Sequence, residues 1–431
     1  MSEVLKLRYA FKTVLNDKIF LISLFLIYGN ILINSFYSFS IETSYAINFI
    51  FFFLAIFYNN LSLKLDKWIV ISGVFLLLPL SMGIYNEWAT RDILSDLVRY
   101  LAPFIGFTSS LVLFKKKKFD DIISFIFLLG FINIIFFYHS FFYKLFLILG
   151  GAPIIDYARN GFEVNNFFFL LFFFFLKYHK NNKQSLNKIL ITGYIIGFFL
   201  NPILLLSKAK LIALIILIFI IFIFYSNTVQ KFNIMILFII SSILLLFIFD
   251  ITVILERVIN AYSAISLNDY SLDPSTFVRL AEIKNVFMTI NENLIKNVPF
   301  GLGLGALYYD DYFPILGGVH AGNFRDDGGV HHIFTVYVAY LFRYGVVGLI
   351  ILLAWIYYVF KKFHRCNTYD AYTVIIVSTF KIFILISLLA DTFIPVYIYG
   401  NFQFGFLLGI GLTLVNLSNK YFNELSEKNE L

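Results

Sequence analysis

Long apolar segments recur along almost the whole chain. About twelve of them approach the roughly 20 residues that a helix needs to cross the hydrocarbon core of a bilayer. They centre on residues 19–36, 44–62, 68–84, 98–114, 121–138, 163–177, 188–206, 210–226, 233–253, 333–360, 371–390 and 401–417. Because a backbone in lipid must satisfy its own hydrogen bonds, each segment is predicted to be a helix. The pattern predicts an all-α polytopic membrane protein.

The amino-acid composition favours the same class. Hydrophobic residues make up 60% of the chain and charged residues only 14%. Soluble domains contain about 25% charged residues, so a soluble globular protein is not expected.

One long polar interval, residues 256–332, interrupts the apolar pattern. It contains 14 charged residues and three of the six histidines. The predicted organisation is therefore nine membrane helices in residues 1–255, a large loop with an amphipathic helix in 256–332, and three membrane helices with a cytoplasmic tail in 333–431.

Basic residues cluster in alternate connections between the predicted spans. The rich set holds 20 of the 33 Lys and Arg residues, from Lys6 near the N-terminus to Lys428 near the C-terminus, whereas the opposite short loops hold six. By the positive-inside rule, both termini are predicted in the cytoplasm and the large loop outside, so the polar interval is a large extracytoplasmic loop. The formal net charge of +7 is assigned to this orientation and to anionic membrane lipid, and no nucleic-acid partner is expected.

The N-terminus and the cysteine content limit other possibilities. The first residues lack the charged region, short apolar core and cleavage site of a secretory signal, so the first apolar segment is expected to remain as a span. The single cysteine, Cys366, excludes an intramolecular disulfide and a cysteine-based zinc cluster.

Four basic residues are predicted on the outer side, close to the lipid headgroups: Arg159, Lys208, Lys210 and Arg279. Arginine presents a planar fork of donors to phosphate oxygens, and lysine supplies a point charge. Together they would form a clamp for a lipid diphosphate. The alternative is interfacial snorkelling or ordinary headgroup contact.

The polar interval is predicted to contain one helix. Asp273 and Pro274 suit a helix start, and apolar residues recur at spacings of three and four from Thr276 to about Lys296. This pattern predicts an amphipathic helix that is able to lie on the membrane plane.

Glycines at positions 301, 303 and 305 follow that helix. They resemble a nucleotide-binding loop only superficially, because no strand is predicted before them. A close turn that returns the chain to the membrane is expected instead.

The histidines lie where the loop approaches the membrane again. His331 or His332 would act as a general base on a sugar hydroxyl or bind a diphosphate, with His320 nearby, or each would be a plain polar residue at a helix start. The side chains of adjacent helical residues point about 100° apart, so one of the pair is expected to face the site. No metal site is predicted, because adjacent histidines lack the spacing of ligands on one helix face.

Lys381 is an ionisable residue midway along a predicted span. Such a residue is a functional candidate by default, because a charge in hydrocarbon is costly. Structural pairing, with help from Asp391, is the alternative.

Three motifs, taken in order, resemble those of the O-antigen polymerase and ligase superfamily of membrane glycosyltransferases. Arg159-Asn-Gly-Phe-Glu-Val-Asn165-Asn leads into a span. Arg279 precedes Pro299-Phe-Gly-Leu-Gly303-Leu-Gly in the loop, and His331-His332 precede Arg343-Tyr-Gly-Val-Val-Gly. Two positions differ from the family pattern: Lys208 follows Ser207 in place of arginine, and isoleucine follows His332 in place of asparagine.

The resemblance implies a GT-C-like fold in the bacterial cytoplasmic membrane and a donor glycan linked to undecaprenyl diphosphate, without nucleotide sugar, metal or cofactor. Arg159 and Arg279 would bind the diphosphate, with Asn165, Lys208, Lys210 and His320 as further binding residues. His331, His332 or Glu282 would assist the acceptor hydroxyl, and the reaction would invert the anomeric configuration.

The sequence leaves three functions open. A polymerase would join repeat units into O-antigen or capsular polysaccharide, together with a flippase and a chain-length regulator. A ligase would transfer finished polymer to the lipid A core. A polysaccharide flippase or other transporter belongs to a different class, in which internal repeats and sites at mid-membrane are common. We see no clear repeat, and the candidate residues gather around one outer loop, which favours an enzyme.

Overall fold

The computed structural model describes residues 16–36, 77–149, 274–309, 336–365, 371–391 and 402–429, together with short pieces and single positions elsewhere. Predicted spans at 44–62 and from residue 163 to 253 lie almost wholly outside these described residues.

Eight helices with defined bounds occur in the described ranges. They are α1 (Lys18–Phe36), α2 (Thr90–Phe114), α3 (Phe119–Leu149), α4 (Pro274–Asn291), α5 (Leu294–Phe300), α6 (Val336–His364), α7 (Ala371–Asp391) and α8 (Phe402–Asn429). Residues 77–85 are also helical. The described ranges contain no β-strand, only an isolated antiparallel bridge between Tyr308 and Val330.

Four of these helices are long and apolar enough to cross a membrane. Their apolar parts are Thr90–Phe114, Phe119–His139, Tyr337–His364 and Phe402–Lys420. Two hydroxyl groups within them bond to the preceding turn of their own helix: the Thr108 hydroxyl donates to the Phe104 carbonyl and that of Thr413 to the Gly409 carbonyl. The protein is thus mainly helical, with helices suited to span a membrane.

Helix α8 lies at the centre of the described helices and packs against α2, α3, α6 and α7. Its contact with α2 is very close because glycine stands at the crossing on both helices. A Cβ added to Gly405 would lie 1.7 Å from the Pro103 carbonyl oxygen, and one added to Gly106 would lie 2.1 Å from that of Phe402. Small residues bring membrane helices together in this way, since packing replaces the hydrophobic effect as the driving force.

Aromatic side chains fill the space between α2 and α6. Trp355 lies with its ring centroid 4.8 Å from that of Phe104 and 5.6 Å from that of Phe107. These rings join α1, α3, α7 and α8 in one large apolar cluster, and a smaller cluster lies beneath α4.

One helix boundary in the polar interval differs from its prediction. The amphipathic helix was expected to reach about Lys296, but α4 ends at Asn291 and α5 starts at Leu294. Asn293 separates the two because its side-chain oxygen accepts a hydrogen bond from the Lys296 amide and so caps α5.

Candidate functional site

The glycine segment, residues 301–305, lies between α6 and the chain that precedes α2. Gly301, Gly303 and Gly305 have φ values of +73°, +93° and +81°, a region that side chains with a Cβ disfavour. There is also no room for a Cβ: one added to Gly303 would lie 2.4 Å from the Gly83 amide nitrogen. Glycine is therefore needed both for the backbone conformation and for the close approach.

The backbone amides of the glycine segment donate hydrogen bonds to acceptors within the protein. The Leu302 and Gly303 amides donate to the carbonyls of Phe342 and Arg343, at 2.7 and 3.1 Å, and the Leu304 amide donates to Pro79 at 2.9 Å. These amides are not directed at an open phosphate site. The segment is a structural turn, in agreement with the rejection of a nucleotide-binding loop.

A buried ion pair joins the glycine segment to α2 and α6. Arg343, 1% exposed, donates through Nε to Oδ2 of Asp96, which is 0% exposed. The same Asp96 oxygen accepts from the Gly305 amide at 2.7 Å, and Arg343 Nη2 lies 3.4 Å from the Ala306 carbonyl oxygen. Because Asp96 balances the charge of Arg343, this pair is better suited to hold three elements together than to bind substrate.

Helix α6 is broken where it meets the glycine segment. Gly345 has a φ of +66°, and a Cβ there would lie 2.3 Å from the Pro299 carbonyl oxygen. Tyr100, Tyr340 and Tyr344 pack beside this break, with the Tyr100 ring centroid 4.5 Å from that of Tyr344. The Tyr100 hydroxyl donates to the Ala339 carbonyl at 3.1 Å, which holds α2 against the first turns of α6.

Helix α4 carries a polar stripe on its buried face. Glu282, Asn285 and Thr289 are spaced as neighbours on one helix face, and all three are buried. Of the predicted catalytic residues, Glu282 is the one whose side chain the structure describes, and it is 0% exposed. A carboxylate withdrawn from water in this way has the chemistry of a general base if an acceptor hydroxyl reaches it.

The chain on both sides of the histidine pair packs near this stripe. Val330 and Ile333, which flank His331 and His332, belong to the same apolar cluster as Ala281 and Val286 of α4. The bridge between Tyr308 and Val330, with N–O distances of 3.1 and 2.8 Å, ties the returning chain to the end of the glycine segment. Val330 and Ile333, the two described residues that flank the histidine pair, therefore lie in the region of α4.

The other predicted site residues are not described in the same detail. Arg279 lies in α4, one turn before Glu282, but its side chain falls outside the described part. The remaining residues lie outside it entirely: Arg159, Asn165, Lys208, Lys210, His320, His331 and His332. Within the described residues, no group of three or more His, Cys, Asp or Glu side chains is arranged to hold a metal ion.

Sequence comparisons add no assignment. No model of a known protein family matches this chain, and no curated protein matches it either.

Lys381 contacts a histidine at the end of the neighbouring helix. Its Nζ lies 3.1 Å from Nδ1 of His364, the last residue of α6. Asp391 lies ten residues further along α7, about 15 Å at the rise of a helix, and its side chain is outside the described part. The contact supports structural pairing of Lys381 over a functional role within the span.

Asp96 and Arg343 were not among the site residues predicted from the sequence. Arg343 was noted only as part of a motif, although a charged residue in an apolar span by itself indicates a functional or structural role. Asp96 was missed because the predicted span began at residue 98, whereas α2 begins at Thr90. A search for two opposite charges near the ends of separate spans would have found the pair.

Proposed function

We propose that this chain is a polysaccharide polymerase of the cytoplasmic membrane in bacteria. It joins oligosaccharide repeat units linked to undecaprenyl diphosphate into O-antigen or capsular polysaccharide. In this proposal the chain has about twelve spans, in keeping with the requirement of roughly 20 apolar residues for each. Both termini are cytoplasmic, and the polar interval 256–332 is the outer loop.

The observation that carries the proposal is the contact between two motifs that underlie the family resemblance. Pro299 and Gly301 pack against the backbone of Arg343 and Gly345, although more than 40 residues separate them in the chain. The Leu302 amide also donates to the carbonyl of Phe342, the residue directly before Arg343. Two motifs that are loose in isolation thus belong to one local structure, which supports their use as a single signature.

The proposed chemistry transfers a glycosyl group with inversion. The acceptor hydroxyl oxygen attacks the anomeric carbon of the donor, a new C–O bond forms, and the bond to undecaprenyl diphosphate breaks. Glu282, His331 or His332 receives the hydroxyl proton, and undecaprenyl diphosphate leaves with the bonding electrons. Arg279 and Arg159 stabilise the negative charge that develops on the diphosphate.

A complementation experiment tests the proposal. A deletion strain receives the wild-type gene or a gene with Arg159→Ala, Arg279→Ala or Glu282→Gln, and the surface glycans are separated by length. We expect wild type to restore a ladder of polymer lengths, and each variant to leave single repeats at equal protein level. Glu292→Gln is the matched control, because it makes the same carboxyl-to-amide change on the exposed residue just after α4.

Other outcomes would assign a different function. Accumulation of full-length polymer on the undecaprenyl carrier in the deletion strain would favour a ligase. A ladder that survives the deletion unchanged would contradict both enzymes and favour a transporter.

A further inference from the structure

Helix α4 buries a mixed face and exposes two large apolar side chains. Glu282, Asn285 and Thr289 are buried beside Val286 and Ile290, whereas Phe287 and Met288 on the opposite face are exposed. On a surface helix in water, the face opposite the core is mainly polar. The exposed apolar side chains of α4 are those expected of a helix whose outer face contacts lipid.

The exposed apolar surface continues from α4 onto α5. It comprises Phe287, Met288, Leu294, Ile295 and Phe300, and we call it the α4–α5 surface. Ile295 is 90% exposed, an unusual position for isoleucine on a water-facing helix. Several large exposed apolar side chains close together indicate a contact surface for something apolar.

Basic and aromatic residues border the α4–α5 surface. Lys284 is exposed on α4. The Lys296 Nζ donates to Oδ1 of Asn86 at 3.1 Å and lies 4.9 Å from the centroid of the exposed Tyr85 ring. Apolar residues flanked by lysine, with tyrosine at the boundary, are typical of the interface between lipid headgroups and acyl chains.

The position of the α4–α5 surface along the helices agrees with such an interface. Tyr85 ends the helical residues 77–85, and Asn86 begins the short connection to α2, whose apolar part starts at Thr90. Lys296 therefore lies beside the end of a helix that is suited to span the membrane. Exposed Ile84 and Tyr85 extend the α4–α5 surface onto the last turn of the helical residues 77–85.

We propose that the α4–α5 surface is immersed in the membrane at the boundary between headgroups and acyl chains. Phe287, Met288, Leu294, Ile295 and Phe300 contact the upper acyl chains, and Lys284 and Lys296 contact anionic headgroups. The bilayer is the occupant because the surface is continuous with the exposed Ile84 and Tyr85 of the helical residues 77–85 and because lysine and tyrosine border it, with Glu292 as the exposed acidic residue beside them. The polar stripe with Glu282 then lies at membrane level instead of in the water above. This proposal does not depend on which reaction the protein performs.

A fluorescent probe at Ile295 tests the contact directly. In the full-length Cys366→Ser protein, Ile295→Cys is labelled with a nitrobenzoxadiazole dye and reconstituted into vesicles of phosphatidylcholine and phosphatidylglycerol. Leu353→Cys is the matched reference, because Leu353 is an exposed residue midway along α6. Quenching is compared between lipids that carry a nitroxide near the headgroup, lipids that carry it deep in the acyl chain, and iodide in the water.

We expect the Ile295 probe to show blue-shifted emission, strong quenching by the nitroxide near the headgroup and weak quenching by iodide. The Leu353 probe should be quenched more by the deep nitroxide. Strong quenching by iodide at Ile295 would show that the surface faces water and would overturn the proposal. Protection from both quenchers, with energy transfer between labelled molecules, would assign the surface to a second copy and would also overturn it.

The lysines provide a second test with a different readout. Lys284→Gln and Lys296→Gln together should reduce quenching of the Ile295 probe by the nitroxide near the headgroup in the anionic vesicles. In vesicles of phosphatidylcholine alone the two proteins should give similar quenching, because its zwitterionic headgroup carries no net negative charge. An equal effect in both kinds of vesicle would contradict the contact of the lysines with anionic headgroups.

Discussion

Asp96 and Arg343 are fully buried between helices whose other contacts are mainly apolar. Moving either charge out of water is costly, and the pair is tolerated because the two charges lie in direct contact. Asp96 also accepts the Gly305 amide, so one carboxylate satisfies both a side chain and the backbone of the glycine segment. The glycine segment is thus held by the carboxylate of a residue more than 200 positions away in the sequence.

Removing one member of the pair should destabilise the protein strongly. We expect Asp96→Ala to reduce the free energy of unfolding by about 3–5 kcal/mol, because it leaves the Arg343 charge buried without compensation. The measurement is the midpoint of thermal unfolding of the purified protein in detergent.

A second ion pair provides the control. Lys117 and Asp17 join the end of α2 to the start of α1, but their side chains are 15% and 28% exposed. Lys117→Ala should cost no more than about 1 kcal/mol, because water screens the charge that remains. Equal decreases in the two midpoints would contradict the importance of burial.

Helices α2 and α8 show how glycine controls packing at the scale of elements. Gly106 and Gly405 allow the two backbones to approach so closely that neither position has space for a Cβ. The helix propensity of glycine is poor, so its presence in both helices is explained by contact and not by local preference. The pair α2 and α8 then supports α6, which carries Arg343.

Gly405→Ala should therefore destabilise the protein although alanine favours a helix over glycine by about 1 kcal/mol. The added Cβ would meet the Pro103 carbonyl oxygen, which belongs to the backbone and cannot rotate away. Gly193→Ala is the control, since its Cβ would lie 3.2 Å from Cδ1 of Ile134, the end of a flexible side chain. We expect a lower unfolding midpoint for Gly405→Ala and an unchanged or higher one for Gly193→Ala.

At the scale of the whole molecule, the two ends of α2 contact different parts of the chain. Near its start it meets the glycine segment through Asp96, and just past its end Lys117 pairs with Asp17. The sequence assigns the polar interval and the N-terminal basic cluster to opposite sides of the membrane by their Lys and Arg content. The contacts put the glycine segment and Asp17 at different ends of one helix, an arrangement that this prediction requires.

Cysteine labelling of intact cells tests the orientation. In the Cys366→Ser protein we expect Thr90→Cys to react with a membrane-impermeant maleimide added outside, and Lys116→Cys to react only after the cells are opened. Both positions are exposed and lie at opposite ends of α2. The reverse result would place the polar interval in the cytoplasm, where a carrier-linked glycan on the outer face would be out of reach.

Much of the helical arrangement could be predicted from the sequence. The apolar segments near residues 19–36, 333–360, 371–390 and 401–417 correspond to α1, α6, α7 and α8 within a few residues, apart from the C-terminal extension of α8. This agreement follows from local chemistry, because a backbone in lipid has few alternatives to the helix. Glu282 was also chosen from sequence, as a carboxylate in the loop, and its burial is compatible with that hypothesis.

The sequence by itself determined that this chain forms apolar helices and that a helix interrupts the polar interval. Only the tertiary structure decided which face of α4 points inward, because helical periodicity does not specify what a face contacts. The same holds for Asp96 and Arg343, because their positions in the sequence do not show that the two side chains form an ion pair in the folded protein. The glycines at 301, 303 and 305 suggested a turn, but the backbone of Arg343 and Gly83 is what leaves no room for a side chain. Contacts between distant segments depend on packing, and packing is not encoded in any single stretch of the chain.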